Sequence, residues 1–325
     1  MHSGRNYSLK EVMIWTRRET VVFFLLAVLP TLAYQLAGWH WLTLPWLPIA
    51  LIGTGVAFIT GFKNSASYGR LWEARQIWGA ILNLSRSWGM YALDLPEGVR
   101  ARVVHRHIAW LTALRYQLRE HRNWENMERK HNSEYQRHYK VEEWSGKLEV
   151  ELERLLGPAE AAAAMARKSR ALFLLSLQAA EMRSLAASGA ITEFRHYEVE
   201  RLLSELIEAQ GGCERIKNFP YPRQFATLNL FFVWLFIVLT PYGLLQEFKA
   251  MGGGYVWVTI PASVIVCWVF HTMDKIGDSS ENPFEGSPND VPITALSRTA
   301  EIDLREMLGE HGVPAPLHPV NSILM

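Results

Sequence analysis

Histidines are the first residues to test for chemistry, because neutral imidazole is the commonest protein ligand for a transition metal. The chain has eleven. His105/His107 and His131/His138 lack metal-site spacing, and no His-Glu-x-x-His run occurs, so solvated or interfacial histidine is the expectation and no metal or other cofactor is implied. The stretch "SASYG" (65 to 69) superficially resembles a nucleophile turn, but it lacks the Gly-x-Ser-x-Gly pattern and a strand before it. The acidic pairs Glu142/Glu143 and Glu151/Glu153 lie in charge-rich helical sequence, where solvated faces are the norm. Thr54, Asn229, Thr240 and His271 are scattered through apolar surroundings, and His271 reads as a boundary residue rather than a proton relay. No Gly-rich phosphate loop is present. These residues predict neither an enzyme nor a nucleic-acid partner.

What must position them is set by how charge is distributed. Of 325 residues 49% are hydrophobic and the formal net charge is only +1, averages that would suit a soluble protein. Yet residues 21–62 contain no Asp, Glu, Lys or Arg, and residues 224–273 contain only Glu247 and Lys249, side by side in an expected loop. A charge in the bilayer core costs several kcal/mol, so this segregation marks an integral membrane protein. The first block resolves into "VVFFLLAVLPTLAYQLA" (21–37) and "LPWLPIALIGTGVAFITGF" (44–62), with interfacial tryptophans in "GWHWLT" between them. The second resolves into 225–245 and 255–273 around the turn-prone "AMGGG". Each approaches the roughly 20 residues that cross a hydrocarbon core. The first span is broken by Pro30 and is followed by no A-x-A-like site, so it is expected to be a membrane helix and not a signal peptide.

Orientation follows from basic residues at the span ends. Arg5, Lys10, Arg17 and Arg18 precede the first span, Lys63, Arg70 and Arg75 follow the second, Arg215, Lys217 and Arg223 precede the third, and Lys275 follows the fourth. The outer connections carry only Lys249. The positive-inside rule then places both termini and the long middle region in the cytoplasm, in a multi-pass protein of the cell (inner) membrane. The organisation expected is a cytosolic N-terminal segment (1–20), membrane helices one and two (21–62), a cytosolic helical region (63–223), membrane helices three and four (224–273) and a cytosolic C-terminal segment (274–325). No disulfide is expected, since Cys267 lies within a span and Cys213 faces the reducing side.

The middle region reads as helical throughout. Ile77, Ala80, Ile81, Leu84 and Trp88 recur at helical spacing, and 103–121 repeats the pattern. The polar run 121–144 reads as a solvated excursion. Residues 157–191 read as a loop followed by one long helix, and 192–213 as another, closed by Gly211 and Gly212. There is no strand pattern and no repeat. The fold class expected is an all-α membrane protein whose four transmembrane helices continue into cytosolic helices.

"GFKNSASYGRLWEAR" (61–75) resembles the signature of the bestrophin family in its bacterial branch, close to G-F-(R/K)-N-x-x-(S/C)-Y-x-R-(F/W/L)-x-E-A-R, on Asn64, Tyr68, Arg70, Glu73 and Arg75. "GCERIKNFPYP" (212–222) resembles the run leading into the third span, "DSSENPFEGSPNDVP" (278–292) the family's E-N-P-F motif on Asn282, Pro283 and Phe284, and "TAEIDLREML" (299–308) the helix that follows. The resemblance implies a homopentameric ion channel in membrane lipid, passing monovalent ions through a hydrophobic neck on the second membrane helix and a second, cytosolic constriction. The family's neck positions fall on Thr54, Phe58 and Phe62, a stripe about 12 Å tall along one helix. Spacing alone favours packing against lipid or the first span, as for Phe23 and Phe24; the adjoining motif shifts the reading to the pore. Thr54 departs from the apolar residue usual at the outer ring, implying a wetter extracellular end. Counting back from Cys213 puts the cytosolic constriction at Tyr197, with His196 a one-residue slip away.

Animal members follow the N-P-F motif with a dense acidic run that holds calcium. Here "EGSPND" offers only Glu285, Asn289 and Asp290, too few for an ion that takes six to eight oxygen ligands, so calcium gating is not expected. Anions such as chloride are the favoured permeant ions; a monovalent cation-selective channel of the same fold and a non-conducting membrane scaffold or sensor are the alternatives, which flux through liposomes and reversal potentials separate. A secondary transporter fits less well, because four spans without an internal repeat lack that class's usual signature.

Overall fold

The computed structural model describes residues 1–127, 132, 136–252 and 254–325. His131 and part of the polar run 121–144 lie outside the described residues, as does Gly253 of the expected turn. Eleven α-helices are described: α1 Leu9–Ala37, α2 Trp46–Leu93, α3 Glu97–Arg119, α4 Glu142–Ser145, α5 Leu148–Leu156, α6 Pro158–Met165, α7 Arg170–Ala187, α8 Glu193–Asn218, α9 Arg223–Ala250, α10 Thr259–Ser280 and α11 Ile293–Met307. Among the described residues the only β-type pairings are two isolated bridges, His2 to Ile323 and Val320 to Ile323. The chain divides into two compact units, one of Met1–Ser3, Arg70–Phe219 and Asn282–Met325, the other of Gly4–Gly69 and Pro220–Glu281.

The second unit contains the four apolar stretches, and the four helical segments that carry them are long and apolar enough to cross a membrane. α1 begins well before its uncharged run. Ser8 Oγ accepts from the Glu11 N–H and Glu11 Oε2 accepts from the Ser8 N–H, a reciprocal cap that satisfies two otherwise orphaned donors. α9 runs to Ala250, so Glu247 and Lys249 sit on its last turns and not in a loop; the Lys249 ammonium lies 5.8 Å from the Tyr34 ring centre. Residues 40–42 form a single 3₁₀ turn, and Trp39 before it and Trp41 within it are stacked and exposed. Phe23, Ile49, Val56, Val233, Phe236, Ile237 and Cys267 form the buried apolar contact of the four helices. α2 and α9 approach closely because glycine stands at both crossings: a Cβ on Gly53 would sit 2.6 Å from the Phe236 ring, and one on Gly243 2.7 Å from Ile49.

In this unit α2 buries one stripe and exposes the other. Ile49, Gly53, Val56, Thr60, Lys63 and Ser67 are buried, alternating by four and three residues, as a packed helix requires. Phe58 and Phe62 stand on the opposite, exposed face.

The first unit is organised around α3, whose residues 106–115 are buried on every side, packed by α5, α7, α8 and α11. Such a helix is normally apolar all round, so each charge it carries needs a partner. Arg106 forms a fork with Glu160 at 2.6 and 2.9 Å. Arg115 pairs with Glu143 at 2.5 Å and with Glu151, and Arg119 with Asp290 at 3.0 Å. Glu143 and Glu151 are therefore tied into the interior of this unit, and only Glu142 and Glu153 keep the solvated role expected of the acidic pairs.

Four further expectations differ from the structure. The polar run is not simply solvated: Asn126, Met127, Tyr139, Val141 and Glu143 are buried, with the Tyr139 hydroxyl donating to the Gly286 carbonyl at 2.7 Å. The stretch 157–191 makes two helices, because α6 buries Ala161 and Ala164 against α5 while α7 buries Ala171, Leu174 and Leu175 against α3, and the break at 166–169 resets the phase between these faces. Gly211 and Gly212 do not close α8, which runs on to Asn218; a Cβ on Gly212 would lie 2.9 Å from the Ile77 side chain, so this glycine serves close packing. His107 is fully buried, neither solvated nor interfacial. It is stacked on Trp88 with Nε2 2.9 Å from Ser85 Oγ, and burial pushes its pKa down to about 3.

Candidate functional site

Thr54, Phe58 and Phe62 share one face of α2. Phe58 is 66% exposed and Phe62 60%, and their rings meet edge to face at 4.6 Å. That contact lets each ring hold the other on the surface without help from the bundle. The Thr54 hydroxyl is turned back to the Ala50 carbonyl at 3.0 Å, which lowers its availability to anything passing along the face. Phe23 is buried in the bundle, whereas Phe24 is half exposed.

The opposite face of α2 carries a polar cluster that sequence reading missed. Lys63 Nζ donates to Asp274 Oδ1 at 2.6 Å and to Asp278 Oδ1 at 2.5 Å. Asn229 Nδ2 donates to the same Asp274 oxygen at 2.7 Å, and the Thr60 hydroxyl donates to Asn229 Oδ1 at 3.1 Å. Asn229 is thus not an isolated polar residue of its span. Asn64 Nδ2 donates to the Met273 carbonyl at 3.0 Å, and Gly277 leaves room for its side chain. The signal available beforehand was the four-residue spacing of Asp274 and Asp278 at the end of one span and a lysine at the end of another.

Arg70, Glu73 and Arg75 serve the first unit. Arg70 donates to the carbonyls of Ile216 and Phe219 at 2.9 and 2.8 Å, capping the C-terminal end of α8, where unsatisfied carbonyls carry partial negative charge. Glu73 pairs with Arg215 across the same helix pair, and the Arg75 guanidinium lies against Met1 Sδ. Tyr68 is exposed on α2.

In the loop before α11, Phe284 is buried in the main core of the first unit, Asn282 Nδ2 donates to Glu285 Oε2 at 3.2 Å, and the Pro283 carbonyl accepts from the Val291 N–H. Glu285 also accepts from the Asn126 N–H at 2.8 Å, and Asp290 accepts from Gly286 N, Ser287 Oγ and Arg119. Glu285 Oε2 and the Asp290 carboxylate are thus held by donors of this loop together with Asn126 and Arg119, and among the described residues no group of three His, Cys, Asp or Glu is placed to hold a metal ion.

Burial, and then the Asp290 carboxylate, push the Glu285 carboxyl well above its ordinary 4.5. A carboxyl whose folded pKa exceeds its unfolded value takes up a proton on folding, so stability falls by about 1.4 kcal/mol per pH unit as pH rises between the two values. Glu285→Gln keeps the accepting oxygen and removes the titration. It is expected to raise the Tm at neutral pH and to flatten this unit's pH dependence above about pH 5. Melting curves of the purified protein and variant across that range check this; equal slopes would contradict it.

Tyr197, on the second turn of α8, is 73% exposed, and His196 is half-buried with Nε2 3.4 Å from Glu200. Phe194, 87% exposed and three residues before Tyr197, shares its side of the helix and was not singled out by sequence.

A family model described as bacterial/fungal bestrophin protein matches residues 10–306. A voltage-dependent anion channel-forming protein of Ralstonia nicotianae is 30% identical over 277 residues, covering 83% of this chain and 81% of the relative. The voltage-dependent anion channel-forming protein YneE of Escherichia coli K12 is 27% identical over 274 residues, covering 84% and 80%. A crystal structure of a bacterial bestrophin homologue from Klebsiella pneumoniae superposes with a TM-score of 0.77 at 26% identity, covering 91% of this chain and 99% of that one. The fold is that of an all-helical membrane protein with four apolar, membrane-length segments. The chain belongs to the bacterial and fungal bestrophin family.

Proposed function

We propose that the protein is an ion channel that passes monovalent anions, chloride among them, across the cell membrane through a pore on the axis of a homopentamer. The observation that carries this reading is the exposed face of α2. Two large aromatic side chains project away from their own helical bundle, and a ring of copies related by rotation supplies the missing wall. The names of the Ralstonia and Escherichia relatives, both anion channel-forming, support the ion class. In this reading Thr54, Phe58 and Phe62 form the neck, Tyr197 with His196 beside it forms the cytosolic constriction, and both termini face the cytoplasm. Phe194 belongs to the same exposed side as Tyr197 and joins that constriction. Aromatic ring edges carry partial positive charge, which favours an anion at the neck over a cation.

The test is a reversal potential. Purified protein is reconstituted into planar bilayers in asymmetric potassium chloride, with native mass spectrometry on the same preparation. The expected result is a reversal near the chloride equilibrium potential from a species of five subunits. Reversal near the potassium potential would make the channel cation-selective, and a preparation of monomers or dimers, or one that stays ion-tight, would remove the pore.

A further inference from the structure

Charges inside a helical bundle of membrane length are costly, and they persist where a function holds them. The Lys63 cluster is such a case: Lys63 and Asp274 are each 2% exposed and Asp278 8%. Lys63 immediately follows Phe62, so the cluster sits at the same level of α2 as the last aromatic ring, about 100° around the helix from it. The cluster joins three helices of the second unit, α2, α9 and α10, through named bonds: Lys63 to both aspartates, Asn229 to Asp274, and Thr60 to Asn229.

α10 is itself a fixed post. Lys275 donates to the Trp15 carbonyl at 2.7 Å and to Glu19 at 3.0 Å, with its ammonium 4.6 Å from the Trp15 ring centre, and Trp268 Nε1 donates to the Thr16 hydroxyl at 3.0 Å. α2 carries its large buried side chains elsewhere along its length, at Ile49 and from Trp78 onward, and has few of them opposite α10. Its buried stripe here is Gly53, Val56, Thr60, Lys63 and Ser67, small or polar side chains on which a helix can roll. Close approach is already secured at Gly277, where a Cβ would fall 2.3 Å from Asn64 Oδ1. What remains to be fixed is rotation, and a directional, charge-assisted bond pair supplies it.

We propose that Lys63, held by Asp274 and Asp278, is a positioning residue that locks the rotational setting of α2 and thereby turns the Phe58 and Phe62 face away from the subunit's own bundle. The consequence for ion flow rests on the neck reading above; the rotational claim does not. Removing the ammonium leaves two carboxylates four residues apart and buried without their cation, and the helix relieves this by rolling until water or another polar group reaches them.

The experiment uses the full-length protein reconstituted in liposomes, with single cysteines introduced by Phe62→Cys, Ile59→Cys or Ser65→Cys. Positions 59 and 65 lie on either side of 62 around the helix, Ile59 half-buried and Ser65 exposed, so a roll in either sense carries one of them toward the setting of 62 as it moves the other away. The native Cys213 and Cys267 are buried and give the background rate. Reaction with a charged, water-soluble thiosulfonate is followed by mass. In the native background position 62 should react fastest. With Lys63→Met added, the ratio of the rate at 62 to the faster of its two neighbours should fall by about tenfold or more, since stripping one partner from a buried pair is strongly unfavourable. Lys63→Arg, which keeps the cation, should restore the native order. An unchanged order of rates in an assembled Lys63→Met protein overturns the positioning role. If that variant fails to assemble, Asp278→Asn, which leaves the Lys63–Asp274 pair, carries the same comparison with a smaller shift expected, and no shift overturns the proposal. Current recorded during modification separates the two readings: reaction at 62 without any change in current would defeat the neck assignment while leaving the rotational result to stand on its rates.

Discussion

Replacing Phe58 and Phe62 together by alanine is expected to raise single-channel conductance and open probability severalfold. In the proposed pentamer each subunit contributes two rings to a narrow apolar sleeve, and such a constriction stops ions by excluding continuous water and not by a plug. Alanine at both positions widens and wets it. The change should leave the fold intact, because these side chains are mostly exposed and their principal described contact is with each other. Sign selectivity should weaken in parallel if ring edges contribute to it, which a shift of reversal potential toward zero in asymmetric salt would report. A stable double variant that conducts and gates like the native protein would place the rings outside the gate.

The second large effect concerns the other unit. Arg119→Met is expected to destabilise it by about 3–5 kcal/mol, the usual consequence of removing one member of a buried ion network. Arg119 is buried, donates to Asp290 at 3.0 Å and stands 4.0 Å from Glu143. Burial alone would raise the Glu143 carboxyl, but Arg119 and then Arg115 outweigh it and hold it below its ordinary range. A depressed carboxylate contributes stability that is present above its unfolded pKa and lost as pH falls through the folded one. The deficit of Arg119→Met relative to the native protein should therefore be largest near neutral pH and shrink on acidification. Adding Asp290→Asn should recover part of it, because the orphaned charge is then gone. Urea or thermal unfolding followed by tryptophan fluorescence checks both; a deficit that does not change with pH would show that lost packing, not lost charge pairing, is responsible.

The contrast between these two regions explains how far the sequence could be read. The four apolar stretches were legible because a bilayer imposes a length and excludes charge, and both constraints act locally. Four-residue spacing put Phe58 and Phe62 on one stripe, a property of a single helix, but spacing alone favoured packing against lipid or the first span, and only the adjoining motif pointed to an open face. Lys63 was counted as a basic residue at a span end, whereas its partners lie 211 and 215 positions away and nothing local points to them. Glu143 and Glu151 looked like surface charge because their compensating arginines sit on α3, a helix whose mixed sequence hides how completely it is buried. Gly211 and Gly212 read as a helix end because glycine usually is one; the packing of Ile77 against Gly212 gives it another purpose. The start of α1, by contrast, was written in the chain as a Ser-x-x-Glu cap and was available to be read.

The claim on which the proposed channel rests is that α2 presents Phe58 to an axis shared by identical subunits. Phe58→Cys tests it directly. Thiolates that converge from several subunits form a high-affinity site for a soft divalent cation, whereas thiols facing lipid, each alone, do not. Cadmium at micromolar concentration should therefore block current through the Phe58→Cys channel, reversibly on chelation, and leave the native channel untouched. Full current in saturating cadmium, from a Phe58→Cys protein whose assembly matches the native one, would contradict it.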